Sequence, residues 1–217
     1  MRQISKKLAI LCVSMIFTTS FYTTSYASYI IDATQKKHEG PCEKMIDDLG
    51  VTGDSYGGFL IDAITEIYDL DLSNYCKAGS TIKQNKDNII ECIYDKYKYI
   101  VISIGVNDHC SQTPIGEFLD LINMFAELAK KLDKYVIFHT YMTYPAEAFY
   151  TVSYTCEDYD NVLRLVASIN PHAKYIDMHD INGEEYFQED RIHYNKNYYK
   201  ILISRILSTL DKIKSER

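Results

Sequence analysis

Apolar positions along this chain switch repeatedly between a strand-like and a helix-like period. LGVT (49–52) is a short apolar run, and SYGGFLIDAITEIY (55–68) places its apolar residues at helical spacing. A brief strand is expected near Asn74 to Lys77, then the turn AGST (78–81) and a helix in the 84–94 region. YIVISIG (99–105) is a continuous β-branched run, the mark of a strand covered on both faces. Thr113 reads as an N-cap, with Pro114 at the first position of a helix running to about Leu132. YVIFHTYM (135–142) is the next strand, followed by a helix over 157–169, the strand KYIDM (174–178) and an amphipathic helix over 196–212.

Strands alternating with helices predict an α/β fold, a parallel sheet covered on both faces. In such sheets ligands sit beyond the carboxyl ends of the strands, so loops that follow strands are where chemistry is sought. No internal repeat, low-complexity tract or linker interrupts the series.

The amino terminus has another pattern. MRQISKK is cationic, and the apolar stretch LAILCVSMIF behind it is too short to span a bilayer. Small residues at Ser25 and Ala27 have the spacing of a signal-peptidase site, so cleavage is expected after Ala27, the alternative being an uncleaved anchor. Cys12 follows Leu11 rather than a small residue, so no lipoprotein is expected. The expected organisation is a signal peptide (1–27), an irregular N-terminal extension (28–46) and one domain (47–213), secreted or at the cell surface.

Loss of Arg2, Lys6 and Lys7, with no acid lost, takes the formal charge from -7 to -10. An acidic chain argues against nucleic acid or an anionic membrane surface as the main partner. Beyond Ala27 the cysteines are Cys42, Cys76, Cys92, Cys110 and Cys156, with no CxxC and no zinc-finger spacing, so no structural metal is expected. An exported location allows disulfides, and Cys110 with Cys156 is the expected pair, since both fall in loops at one edge of the sheet.

Polar clusters fall where a site should be. GDS (53–55) follows the first strand and opens the first helix, so Ser55 lies at the positive end of the helix dipole with its own N–H free for an oxyanion. It reads equally as a serine N-cap. Gly53, Gly57 and Gly58 would let a substrate approach the backbone. In GVND (105–108), Asn107 could donate its amide to a developing negative oxygen, or simply form a turn. AGST offers the N–H of Gly79. In DRIH (190–193), Asp190 can hold Nδ1 of His193 and leave Nε2 for a serine from elsewhere, which is what a general base needs; the pair reads equally as a surface acid and a histidine near a helix start.

Taken together and in this order, GDS, the glycine turn, GxND and DxxH resemble the SGNH or GDSL hydrolase family, over about residues 47–213. The resemblance implies Ser55 as nucleophile, His193 as base and Asp190 as its orienting carboxylate. The N–H groups of Ser55 and Gly79 and the side chain of Asn107 would form the oxyanion hole. It also implies a three-layer α/β/α sandwich on a five-stranded, mostly parallel sheet, with no metal or organic cofactor. Arg191 stands where the family most often has glycine.

His109 is expected to be a solvated loop residue, and His139 a partly buried, satisfied one. The chain has 20 tyrosines and no tryptophan, and Tyr141, Tyr144, Tyr150 and Tyr154 cluster after the fourth strand. They suit either sugar stacking or general aromatic duty, and the 143–156 segment with Pro145 is expected to act as a lid. The expected function is an exported serine esterase acting on a small acyl ester, such as acetyl, of a carbohydrate or lipid. The rivals are an O-acetyltransferase on cell-wall or exopolysaccharide sugars and a non-catalytic binding module on the same scaffold.

Overall fold

Every residue of LGVTG and YIVIS is buried, so these segments can only be central strands with side chains packed on both sides. The computed structural model describes residues 45–140, 153–181 and 183–216. Along it run β1 (Leu49–Gly53), α1 (Ser55–Tyr68), β2 (Asn74–Cys76), α2 (Lys86–Tyr94), β3 (Tyr99–Ser103) and α3 (Val106–Ser111). There follow α4 (Ile115–Lys131), β4 (Tyr135–His139), α5 (Cys156–Ile169), β5 (Ala173–Ile176), a 3-10 turn (Glu184–Tyr186) and α6 (Lys196–Ser215).

The sheet has 5 strands in the order β2-β1-β3-β4-β5, and every pairing is parallel. One face carries α1 packed on α6; the other carries α4 packed on α2 and α5. This is the expected three-layer α/β/α sandwich. Helix α4 shows why the layers hold. Phe118, Ile122, Phe125, Ala126 and Ala129 recur at helical spacing and are all fully buried. Each large apolar side chain so buried contributes roughly 1.5–3 kcal/mol.

The strand order reverses at β1 and β3, so the crevice at their carboxyl ends is the topological switch point. There the two strands are in register to their last residues, Gly53 opposite Ser103, and the Asp54 N–H donates to the Ser103 carbonyl at 3.0 Å. Gly53 has φ +138, and a Cβ there would lie 1.8 Å from the Ser103 oxygen. Only glycine lets the strands stay this close while the chain turns into α1.

Several boundaries differ from the sequence expectation. The α4 cap is Pro114, not Thr113, whose hydroxyl bonds the buried Asp108. Strand β4 ends at His139, and Tyr141 and Met142 lie outside the described residues. Helix α5 begins one residue early because Thr155 forms a capping box with Asp158.

Two glycines separate close packing from open space. Gly53→Ala is expected to lower unfolding stability by more than about 2 kcal/mol, through both clash and forbidden φ. Gly58→Ala, where an added Cβ meets nothing within 4 Å, should raise it by about 0.5–1 kcal/mol. Urea unfolding of the two variants checks both.

Candidate active site

Asp54 caps α1: its Oδ1 accepts the Tyr56 N–H at 2.9 Å. Ser55 is therefore not the cap but the first helical residue, with its hydroxyl left for other work. That hydroxyl lies 3.1 Å from Nε2 of His193, 138 residues away in sequence. His193 Nδ1 in turn donates to Asp190 Oδ2 at 2.6 Å, which fixes the tautomer and leaves Nε2 to accept from Ser55. The Asp190 carboxylate also accepts the backbone N–H groups of Ile192 (2.9 Å) and His193 (3.0 Å). These bonds, the one to His193 foremost, hold its pKa down to about 2.

The loop carrying His193 is anchored from both ends. Tyr56, next to Ser55, donates its hydroxyl to the Ile192 carbonyl. The rings of Tyr56 and Phe59, one turn apart on α1, lie 5.7 and 5.0 Å from the His193 ring. On the far side the Gln188 N–H donates to the His193 carbonyl at 2.7 Å, and Asn195 caps α6. One face of α1 thus presents Ser55 and also positions its partner.

Asn107 lies on α3, beyond the end of β3, and donates through Nδ2 to Asp54 Oδ2 at 3.0 Å. Gly79 (φ +69) sits on a loop tied to the same place from two sides. The Lys77 N–H donates to the Gly53 carbonyl at 2.8 Å, and the Ile82 N–H donates to the carboxylate oxygens of Asp108 at 2.9 and 3.2 Å. Asn85 spends its side chain on the Gly53 carbonyl instead of capping α2. As a result the residues flanking Ser55, Gly79 and Asn107 are bonded to one another.

Two acids in this framework, Asp54 and Asp108, are fully buried. Burial pushes the carboxyl pKa of Asp54 up to about 7 and that of Asp108 up to about 6. The sequence singled out neither, although both stand in its quoted motifs. An acid at a turn reads as solvated until its burial is seen.

No family model and no curated protein matches this sequence. Solved structures do. A protein from Streptococcus pneumonia superposes with a TM-score of 0.62 at 13% identity, covering 88% of this chain and 99% of that one. A variant of an acetyl xylan esterase from Geobacillus stearothermophilus gives 0.56 at 18% identity, over 75% of this chain and 93% of that one. A salicylyl-acyltransferase from a tetracycline biosynthetic pathway gives 0.54 at 14%, over 74% of this chain and 52% of that one.

The fold is that of the SGNH hydrolases. On this SGNH scaffold Arg191, in the place where glycine is most common, has φ +58, a left-handed conformation that costs an ordinary residue roughly 1–2 kcal/mol. Within that loop the Arg191 N–H donates to the Gln188 carbonyl at 3.0 Å.

Other expectations need correction. Gly57 does not make room for a substrate: it is buried, and a Cβ there would lie 2.7 Å from Cys76 Sγ. Cys110 and Cys156 are free thiols, as are Cys76 and Cys92, and Cys42 lies outside the described residues. Cys156 Sγ turns instead toward His109 Nδ1 at 3.4 Å. His109 is therefore not solvated but buried. His139 is fully buried, with Nδ1 on the Thr140 carbonyl (2.8 Å) and Nε2 accepting from Ser103 Oγ (2.9 Å), and burial takes its pKa down to about 4. Tyr141, Tyr144, Tyr150 and most of the expected lid lie outside the described residues. Where the chain is described again, Gln112 on α3's end accepts the N–H groups of Ser153 (2.7 Å) and Tyr154 (3.0 Å).

Among the described residues, Glu157, Asp160 and His179 could each bring one ligand atom within 4.8 Å of the others. Arg164 already occupies that cluster. Its Nε lies 2.8 Å from Asp160 Oδ2 and a terminal nitrogen 2.8 Å from His179 Nδ1, so a guanidinium supplies the positive charge there.

The raised pKa of Asp54 carries a stability sign. The folded chain keeps a proton on Asp54 that the unfolded chain releases between about pH 4 and 7, so this acid's contribution falls as pH rises through that window. Asp54→Asn is expected to gain stability relative to the wild type as pH rises from 4 to 8, by about 4 kcal/mol at most. Paired thermal unfolding across that range measures the difference, in which His139 cancels and Asp54 is read together with its coupling to Asp108.

Proposed function

We propose that this protein is a serine esterase in which Ser55 attacks a small acyl ester of a carbohydrate or lipid. The observation that carries the reading is the continuous bond path from Ser55 Oγ through His193 to Asp190. His193 Nε2 takes the hydroxyl proton as Oγ bonds to the ester carbonyl, and Asp190 stabilises the imidazolium. The carbonyl oxygen gains negative charge at the N-terminus of α1, where the Ser55 N–H, the Gly79 N–H and the Asn107 amide form the oxyanion hole. His193 then returns the proton to the leaving alcohol. Water, activated by the same ring, releases the acid and restores Ser55.

A second acceptor is chemically equivalent: a sugar hydroxyl in place of water makes the same site an O-acetyltransferase. The likeness of this fold to an acyltransferase supports keeping that reading. Incubation with an acyl donor and a glycan separates the two, since only transfer leaves acylated sugar above the hydrolysis background. Export is proposed from the first 27 residues alone. No helix among the described residues is long and apolar enough to cross a membrane.

Ser55→Ala and His193→Ala are each expected to lower kcat for p-nitrophenyl acetate by about 10⁴-fold or more, and Asp190→Asn by less. A fluorophosphonate should label Ser55 in the folded wild type. Full turnover by Ser55→Ala would remove the mechanism, and an unlabelled Ser55 would favour a binding module on this scaffold.

A further inference from the structure

We propose that Asp54 is the positioning residue of the oxyanion hole, holding the Asn107 amide so that one N–H is spent on the carboxylate and the other faces the ester. The inference rests on reading Ser55 as the nucleophile. Asp54 is held on every side: its N–H donates to Ser103, Oδ1 accepts Tyr56 N–H, and Oδ2 accepts Asn107 Nδ2. It is wholly buried, so no water competes for these bonds.

The charge of Asp54 decides which way the amide points. An ionised carboxylate only accepts, so Asn107 must turn Nδ2 toward it; the amide oxygen in that place would set lone pair against lone pair. A neutral group at position 54, protonated Asp54 below about pH 7 included, can donate, and then the flipped amide fits equally well; the locked arrangement belongs to the ionised form. The flipped form presents its oxygen on the Asp54 side and misaims its donors. Preorganised donors stabilise a developing oxyanion because no reorientation is needed during reaction, so the loss falls on kcat. Burial works against ionisation here, and the bonds from Tyr56 N–H and Asn107 work for it. The titratable groups facing Asp54 are Asp108 and Cys110 on α3, Cys76 on β2, Tyr56 on α1 and Tyr199 on α6. Asp108 bonds the Ile82 N–H, so its titration is read separately at that amide.

The test combines kinetics with a spectrum that needs no turnover. Above about pH 8, where Asp54 is ionised, Asp54→Asn should lower kcat for p-nitrophenyl acetate by about 10- to 100-fold with KM changed less than about threefold, and Asn107→Ala by about 10²-fold or more. The double variant should be no slower than Asn107→Ala alone, because Asp54 acts through Asn107. A double variant slowed by the product of the single effects, or wild-type kcat in Asp54→Asn, overturns the proposal. Independently, the side-chain amide ¹⁵N–¹H signals of Asn107 should shift in Asp54→Asn. In the wild type they should titrate with Asp54, a readout that remains if the variant does not fold. Asn107 signals indifferent to both would also overturn it. Absent turnover and absent labelling of Ser55 would instead defeat the nucleophile reading, while the amide spectrum still decides the Asp54 contact.

Discussion

The close pairing of β1 and β3 at their carboxyl ends is the constraint on which the rest depends. With Gly53 pressed on Ser103, the chain must turn at Asp54, and that turn launches α1 from the switch point of the sheet. One short run then does several jobs: Asp54 caps the helix, Ser55 projects its hydroxyl at the dipole's positive end, and Tyr56 reaches the carbonyl next to His193. Moving the strands apart would displace Ser55, the His193 loop, Asn107 and the Gly79 loop together. The polar bonds that cross this junction converge on Gly53 and Asp54, from Lys77, Asn85, Ser103 and Asn107.

Electrostatically the site is asymmetric. Asp190 lies at the surface, bonded to N–H groups that favour its charge, and stays ionised over the whole physiological range. Asp54 and Asp108 are buried, which disfavours their charge, yet Asp108 holds the Ile82 N–H and Asp54 the Asn107 amide. Acids in such surroundings cost stability when ionised, and they persist where geometry matters more than stability.

Much of the fold was readable from period alone. YIVISIG could only be a buried strand, and the alternation of strands and helices required a parallel sheet. The candidate site lies in short motifs at strand ends, and the structure brings Ser55, His193 and Asp190 into contact and ties Asn107 and the Gly79 loop to the same junction. What escaped was anything set by burial. Asp54 and Asp108 drew no reading of their own inside their motifs, while Thr113 read as a cap, His109 as a solvated loop residue and Gly57 as open space. Most depend on what packs against them from elsewhere in the chain, as with Ile82 on Asp108 and Cys76 on Gly57. The disulfide expectation failed for the same reason: loops can share an edge while Cys156 faces a histidine ring.

The most direct test of this account is a crystal structure of the protein after reaction with a small alkyl fluorophosphonate. The expected adduct has a phosphorus–oxygen bond at Ser55 Oγ and a phosphoryl oxygen within about 3 Å of the Ser55 N–H, the Gly79 N–H and Asn107 Nδ2. An adduct on another residue, or one at Ser55 whose phosphoryl oxygen points to solvent away from Asn107, would contradict it.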